Sequence, residues 1–168
     1  KNVKFTDGTN LNAAAVVTNL NHDHTTVGPD TLYLAGVSSV QANGNYGVTI
    51  TLSQPNSDLP LIFGEALGMI SSPAALASGA LTTTPVGAGP YILDSSQTVV
   101  NDHYTFNRNP HYWDAKDIHW KTLVFKLITD YTASVNALRS GQIAMALGQP
   151  ATVSAAEAGG EKVVKSPG

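Results

Sequence analysis

The sequence contains no cysteine, which excludes a disulfide framework, a thiolate metal site and a cysteine nucleophile. Charged residues make up only 12% of the 168 residues, about half of the share usual in globular proteins. The formal net charge is -3 and the basic residues are scattered singly, which argues against a nucleic-acid groove. No apolar run approaches the roughly 18–20 residues needed to cross a bilayer. The chain is long enough to bury a core, and its neutral polar surface suits an exported protein.

Both ends of the sequence read as interrupted structure. The chain opens on KNVKFTDGT, a strand entering a turn, without an initiator methionine or a signal segment. It ends on KVVKSPG, a strand running into a loop. We therefore expect a fragment of a longer protein whose true termini lie elsewhere.

The first half of the chain predicts short helices and one hairpin. Asn12 is typical of a helix N-cap, and the apolar residues after it follow the i, i+3, i+4, i+7 spacing of one helix face: Ala13, Val16, Val17 and Leu20. Residues 22–31 then read as a loop. The Asn43-Gly44 pair between two strand-like runs is a strong hairpin signal.

Residues typical of helix starts and helix ends predict two further helices before residue 84. One is predicted to begin near Ser57 or Asp58, with a proline tolerated in its first turn. The other is SSPAALASG, where Ser72 is expected to be the cap and Gly79 the stop.

The second half of the chain alternates strands with helices. YIL and TVVNDHYTF predict an antiparallel pair, and LVFKLI is apolar on both faces, as a central strand should be. A helix follows with Asp130 or Thr129 as its cap and with Tyr131, Val135 and Leu138 facing inward. IAMAL, predicted as the next strand, completes a βαβ unit. A helix at TVSAAEAGG and a strand at EKVVKS extend the pattern, so we expect an α/β (mixed α+β) fold with a mixed sheet.

The stretch TPVGAGPYIL at residues 84–93 has two glycines that resemble a phosphate-binding loop. Such a loop needs a helix N-terminus directly after the glycines, because its free N–H groups bind the anion. Here Pro90 and the β-prone Tyr91 follow Gly89. The glycines are therefore interpreted as a tight backbone bend that leads into a strand.

Residues with catalytic or metal-binding chemistry are present but have no convincing arrangement. His22, Asp23 and His24 could hold a divalent metal, although three adjacent residues seldom point at one ion, and a solvated loop is the preferred interpretation. No Gly-x-Ser-x-Gly elbow and no privileged carboxylate pair occurs. We therefore expect no enzyme, no catalytic residue, no metal site and no cofactor.

NRNPHYWD at residues 107–114 concentrates Arg108, Tyr112 and Trp113. These residues could form a stacking platform for a base or a sugar. We favour the alternative, in which the two aromatic rings pack a loop over the sheet edge and Arg108 pairs with a carboxylate.

Six segments occur in order along the chain: VKFTDGTNLNAAAVVTNL, VTITLSQPNSDLP, SSPAAL, PVGAGPYIL, RNPHYWD and ALRSGQIAMAL. Together they resemble the family 5 extracellular solute-binding proteins of ABC importers, the oligopeptide, dipeptide and nickel group. The resemblance runs from Val3 to about Gly168, and its most specific pieces are RNPHYW and PVGAGPY.

The resemblance implies a type II periplasmic-binding-protein-like fold, in which two lobes close on a solute by a hinge motion. Residues 1–84 then resemble a small subdomain added to the first lobe, and residues 85–168 resemble part of the first lobe proper, with the second lobe absent. The implied function is capture of a small solute, most often an oligopeptide, and its delivery to ABC permease subunits in the membrane. The implied location is extracytoplasmic, as a lipoprotein or a periplasmic protein.

The segment that crosses between the two parts of the first lobe is expected to run close to the solute cleft. The candidate ligand-binding residues are therefore Val86, Gly87, Ala88, Gly89 and Tyr91. Alternative cargoes are nickel and oligosaccharides, since related proteins carry them. A sensory or chaperone-like peptide-binding module on the same scaffold is a further alternative, and a hydrolase would require acid and base residues that converge in one pocket.

Overall fold

The structure is a computed structural model that describes residues 2–164. Its helices are α1 (Ala13–Thr25), α2 (Pro29–Tyr33), α3 (Leu59–Ile62), α4 (Pro73–Ser78), α5 (Tyr131–Arg139) and α6 (Pro150–Ala158). Its strands are β1 (Val37–Asn43), β2 (Gly47–Leu52), β3 (Tyr91–Leu93), β4 (His103–Arg108) and β5 (Thr122–Lys126). This mixture of helices and small sheets confirms the predicted α/β class. Across residues 2–164 we find no helix with the length and apolarity that crossing a bilayer requires.

Helix α1 begins where the sequence predicts and ends later. The Asn12 side chain caps the helix by accepting a hydrogen bond from the Ala15 N–H at 3.0 Å. The helix then continues to Thr25, so the predicted loop at 22–31 is wrong over its first residues, and α2 begins inside the same stretch. The Thr25 hydroxyl donates to the Asn21 and His22 carbonyls at 2.9 and 3.1 Å, and the Thr26 N–H also donates to the His22 carbonyl, at 2.9 Å, so a terminal carbonyl of the added turn is satisfied.

The predicted hairpin is confirmed, and it carries one side of the core. Strands β1 and β2 pair antiparallel, with Val40 opposite Ile50 and Asn43 opposite Gly47. Gly44, in the turn, has a φ of +67°, which is the left-handed conformation that the Asn-Gly signal anticipates. The buried cluster between α1, α2 and the hairpin consists of Leu20, Leu34, Val37, Val40 and Leu67.

The second sheet has the order β3-β4-β5. Strands β3 and β4 are antiparallel, with Tyr91 opposite Arg108, which confirms the predicted pair. The prediction that β5 is buried on both faces is wrong, because Val124 is 60% and Phe125 is 59% exposed. Strand β5 lies at the edge of this sheet, and no additional strand within residues 2–164 pairs with it.

The predicted βαβ unit is not completed. Residues 143–147 form no strand, and Met145 and Leu147 are 81% and 89% exposed. A strand needs a neighbour for its backbone N–H and C=O groups, and the part of the chain described here supplies none for this stretch. Residues 161–164 are not a strand either, and the last two residues of the predicted EKVVKS strand lie outside the described range.

The chain divides into two compact units: residues 2–98 with 105–124, and residues 99–104 with 125–164. In the second unit, the Asp130 side chain caps α5 by accepting from the Ala133 N–H at 2.6 Å. Val135 is buried, as predicted, whereas Tyr131 is 41% exposed rather than inward-facing. Tyr131 is the first residue of α5, where a side chain has no preceding helical turn to pack on. The first unit contains the hairpin core and all of the candidate ligand-binding residues.

Candidate functional site

The candidate site is the GAG segment, which we define as residues 85–90. Strand β3 begins directly after it, at Tyr91, so no helix N-terminus follows the glycines. This confirms that the segment is a backbone bend rather than a phosphate-binding loop. Residues 86–89 are half-buried, and the segment is held from two sides by hydrogen bonds to its carbonyl groups.

On one side, the start of the chain and the loop before α4 hold the segment. The Thr6 N–H donates to the Gly87 carbonyl and the Ser72 N–H donates to the Val86 carbonyl, both at 2.9 Å. These two bonds bring together stretches that are far apart in sequence, since they join residues 6 and 72 to residues 86 and 87. The conformation of the bend therefore depends on the packing of the whole first unit.

On the other side, Asn109 holds the segment. Its side-chain Nδ2 donates to the Gly89 carbonyl at 2.9 Å, and its backbone N–H donates to the Pro90 carbonyl at 2.8 Å. Asn109 is only 3% exposed, and its Oδ1 accepts from the His111 N–H at 3.0 Å. Sequence reasoning singled out other residues of the RNPHYW motif and missed this one, although an Asn-Pro pair is a known turn signal.

The N–H groups of the same segment, unlike its carbonyl groups, make no hydrogen bond within the described part of the chain. Pro85 and Pro90 have no N–H. Within the described part of the chain, no hydrogen bond is donated by the N–H of residues 86, 87, 88 or 89. The bend therefore has the carbonyl groups of residues 86, 87, 89 and 90 bound to the scaffold, and a run of backbone donors without an acceptor in the described part of the chain.

A buried serine connects the segment to a carboxylate. Ser72 is fully buried, and its hydroxyl donates to Asp7 Oδ2. Asp7 Oδ1 also accepts from the Thr9 hydroxyl at 2.6 Å and from the Thr9 N–H at 2.9 Å. Burial acts to raise the pKa of Asp7, but the hydrogen bonds from Ser72 and Thr9 outweigh it and lower that pKa below its ordinary value.

This use of Ser72 corrects one prediction. Ser72 occupies the N-cap position of α4, yet its side chain makes no capping hydrogen bond. The reason is that its hydroxyl donates to Asp7 instead. The predicted end of α4 is confirmed, because Gly79 terminates the helix with a φ of 73°.

Asn19 on α1 supports the same loop from the core side. It is 4% exposed, its Nδ2 donates to the Ser71 carbonyl at 2.8 Å, and its Oδ1 accepts from the Ser71 N–H at 2.9 Å. Nδ2 also donates to the Ala15 carbonyl at 2.8 Å. Ser71 precedes the serine that binds Val86, so α1 positions the GAG segment through one intervening loop.

Tyr91 is the last of the predicted site residues. It is half-buried, and its hydroxyl donates to the Trp120 carbonyl at 3.1 Å. The structure thus places Val86, Gly87, Ala88 and Gly89 together along the bend. Tyr91 adjoins them as the first residue of β3, but its hydroxyl bonds a neighbouring loop.

The remaining chemical candidates lie elsewhere and do not assemble a centre. His22 Nδ1 lies 3.3 Å from Asp23 Oδ1 on the exposed end of α1, and residues 2–164 contain no cluster of His, Asp and Glu side chains fit to hold a metal. Arg108 donates to the Ala115 carbonyl at 2.7 Å, not to the carboxylate that we expected.

The aromatic residues of the same motif partly follow expectation. The rings of Tyr112 and Trp113 contact each other at a centroid distance of 5.6 Å. Trp113 is nevertheless 66% exposed. The prediction that it packs over the sheet edge is therefore wrong.

Comparison with known proteins finds one matching family and relatives that are binding proteins. The family described as "Bacterial extracellular solute-binding proteins, family 5 Middle" matches residues 1–168. The glutathione-binding protein GsiB of Escherichia coli strain K12 is 29% identical over 153 residues, which cover 88% of this chain and 29% of GsiB.

Two solved structures show the likeness in three dimensions. The binding protein AgaA of A. tumefaciens R10, in complex with agropinic acid, superposes with a TM-score of 0.76 at 24% identity and covers 85% of this chain and 30% of its own. The murein tripeptide binding protein MppA of Escherichia coli gives a TM-score of 0.73 at 24% identity, over 85% of this chain and 32% of its own. The chain therefore spans about a third of the length of these relatives and shares their fold.

Proposed function

Because this chain belongs to the bacterial extracellular solute-binding proteins of family 5, we propose that it is part of a protein that captures a peptide for an ABC importer. The observation that carries the proposal is the family match along all of residues 1–168. Glutathione and a murein tripeptide, named for two of the relatives, are both peptides, which supports a peptide as the solute. Nickel is the alternative, because the neighbour NikZ was solved in complex with Ni(L-His).

We also propose where the two halves of the chain lie in the complete binding protein. We assign residues 1–84 to a small subdomain of the first lobe and residues 85–168 to the first lobe proper. The cleft against a second lobe would then run past the GAG segment, with Val86, Gly87, Ala88, Gly89 and Tyr91 near the solute. The half-buried bend with its backbone donors supports the placement of the cleft beside this segment.

A binding role, rather than catalysis, also agrees with the site. Its polar groups are backbone amides and the fixed side chains of Asn109, Ser72 and Asp7. The Ser72 hydroxyl donates to the Asp7 carboxylate, but Ser72 is fully buried, so it is not placed to attack a substrate. The protein would work outside the cytoplasm, anchored to the membrane or free in the periplasm, and would pass its solute to permease subunits.

The test is a screen of thermal unfolding on the protein expressed from its complete gene. Short peptides, Ni²⁺ and small sugars are added separately, because a ligand that binds only the folded state raises the melting temperature. We expect peptides to raise it, by an amount that grows with concentration. A rise with Ni²⁺ or sugars alone would replace the peptide by that solute, and no rise with any of them would contradict the proposed transport function.

A further inference from the structure

The GAG segment holds backbone donors that the fold leaves available while it uses the acceptors. The carbonyl groups of Val86, Gly87, Gly89 and Pro90 each accept a hydrogen bond from the scaffold. The N–H groups of residues 86–89 donate none to any acceptor within residues 2–164. These N–H groups are therefore available to an acceptor from outside the chain, which can be water or a group of a ligand.

The space that a side chain would occupy at the two glycines of the segment is open. A Cβ placed on Gly89 would meet no atom within 4 Å, and a Cβ placed on Gly87 would meet only the Gly89 nitrogen, at 4.0 Å. The side of the bend that Gly87 leaves uncovered is therefore the side on which the Gly89 nitrogen lies. Neither glycine has a φ in the left-handed region, so backbone conformation does not require glycine at either position, and close approach to the backbone is the remaining physical reason for it.

The donors are also held in place before any ligand arrives. Asn109 is 3% and Ser72 is 0% exposed, and both bind the segment through groups on its carbonyl side. Donors that are fixed in advance bind an acceptor without a further cost of ordering. Because an ionised acceptor forms shorter and stronger hydrogen bonds with N–H groups than a neutral one does, a run of such donors favours a carboxylate.

We propose that the backbone N–H groups of Gly87, Ala88 and Gly89 bind a carboxylate group of the solute. This inference rests on the proposed function, since it names the chemical group that the site takes. The carboxylate can belong to the C-terminus of a peptide or to a free organic acid. The closing experiment separates these sources and also separates the failure of this site from the failure of the proposed function.

The experiment follows the backbone amide resonances of the ¹⁵N-labelled protein, expressed from its complete gene, by NMR. The probes are Ala-Ala, Ala-Ala amide and sodium acetate, each added to about 20 mM, which detects binding with a dissociation constant in the millimolar range. We expect saturable shifts of the Gly87, Ala88 and Gly89 amides with Ala-Ala, and shifts at least about tenfold weaker in affinity with Ala-Ala amide, because one charge-assisted hydrogen bond is worth about that factor. Equal affinity for acetate and Ala-Ala would assign the site to carboxylates in general, and tighter binding of Ala-Ala would assign it to a peptide C-terminus.

Matched variants make the test specific. Gly87→Ala and Gly89→Ala each add one methyl group beside the donors without a steric clash, and both should weaken the binding of Ala-Ala about tenfold. Gly36→Ala is the control, since a Cβ there also meets open space at an ordinary φ, and it should leave binding unchanged.

Two results would overturn the inference. If Ala-Ala shifts amides elsewhere but not those of residues 87–89, the peptide-binding function stands and this site is wrong. If no probe shifts any amide, the carboxylate site is wrong, and the screen of the complete protein decides the proposed function by itself.

Discussion

Replacing Asn19 by alanine should destabilise the chain more than any surface substitution on α1. The side chain is 4% exposed and makes three hydrogen bonds at 2.8–2.9 Å, two of them to the backbone of Ser71 and one to the Ala15 carbonyl. Each such bond contributes about 1 kcal/mol net, and a buried group left without its partner costs about 1–3 kcal/mol. We therefore expect a loss of about 3 kcal/mol in the free energy of unfolding.

Urea unfolding followed by circular dichroism measures this loss, and the slope m reports whether the unfolded state has changed. Thermal unfolding should show a fall of about 6–12 °C, since about 1 kcal/mol corresponds to 2–4 °C in a chain of this size. Asn21→Ala is the matched control, because Asn21 lies two residues away on the exposed side of the same helix. That control should change the free energy of unfolding by less than about 0.5 kcal/mol.

A second variant separates the hydrogen-bond geometry from mere size. Asn19→Asp keeps the acceptor for the Ser71 N–H but places a carboxylate oxygen against the Ser71 and Ala15 carbonyls, which should raise its folded-state pKa. Its stability should therefore be highest at acidic pH, where the group is protonated in both states, and should fall as the pH rises from the unfolded pKa to the folded pKa. The claim that Asn19 clamps the loop before α4 is refuted if Asn19→Ala has the same free energy of unfolding as the wild type. It is also refuted if the stability of Asn19→Asp does not change with pH.

Other substitutions probe the same unit. The lowered pKa of Asp7 means that its contribution is present above the unfolded pKa and is lost as the pH falls through the folded pKa, so Asp7→Asn should flatten the decline of melting temperature below about pH 4. Asn109→Ala should cost about 2 kcal/mol in urea unfolding and should broaden the amide resonances of the GAG segment; unchanged resonances would contradict its role as a clamp. Leu20→Ala, at a fully buried position, should cost about 2–5 kcal/mol, whereas Val27→Ala, at a 99% exposed position, should be neutral.

Local signals in the sequence located most helices and the hairpin. Asn12, Asp130 and the Asn43-Gly44 pair act through backbone groups within a few residues of themselves, and their effect can be predicted without knowledge of the fold. The extension of α1 to Thr25 was not predicted, because a side-chain bond to the helix carbonyls adds a turn that apolar spacing does not mark.

Long-range contacts were not predictable in the same way. Ser72 reads as a helix cap, but a carboxylate distant in sequence takes its hydroxyl. Asn109 reads as part of a turn, but its side chain fixes a bend twenty residues earlier in the chain. Only the three-dimensional arrangement joins these residues to the GAG segment. The residues that follow the glycines did predict the bend itself, since Pro90 and Tyr91 indicate a strand and not a helix.

The apolar pattern also predicted more burial than the structure has. Val124 and Met145 are exposed, although their segments have the composition of central strands. Periodicity reports what a segment is suited to pack against, and it does not show whether the described residues supply the partner. This explains why the strand at β5 was placed correctly while its burial was not.

Isothermal titration calorimetry of short peptides with the protein expressed from its complete gene tests most directly whether this chain belongs to a peptide-capturing protein. We expect saturable binding of one peptide per protein chain, with a dissociation constant near the micromolar range, or about 8 kcal/mol of binding free energy. We also expect C-terminal amidation of the peptide to weaken this binding. A complete protein that gives no heat of binding with any peptide, under conditions where it is folded, would contradict the claim that this chain belongs to a peptide-capturing protein.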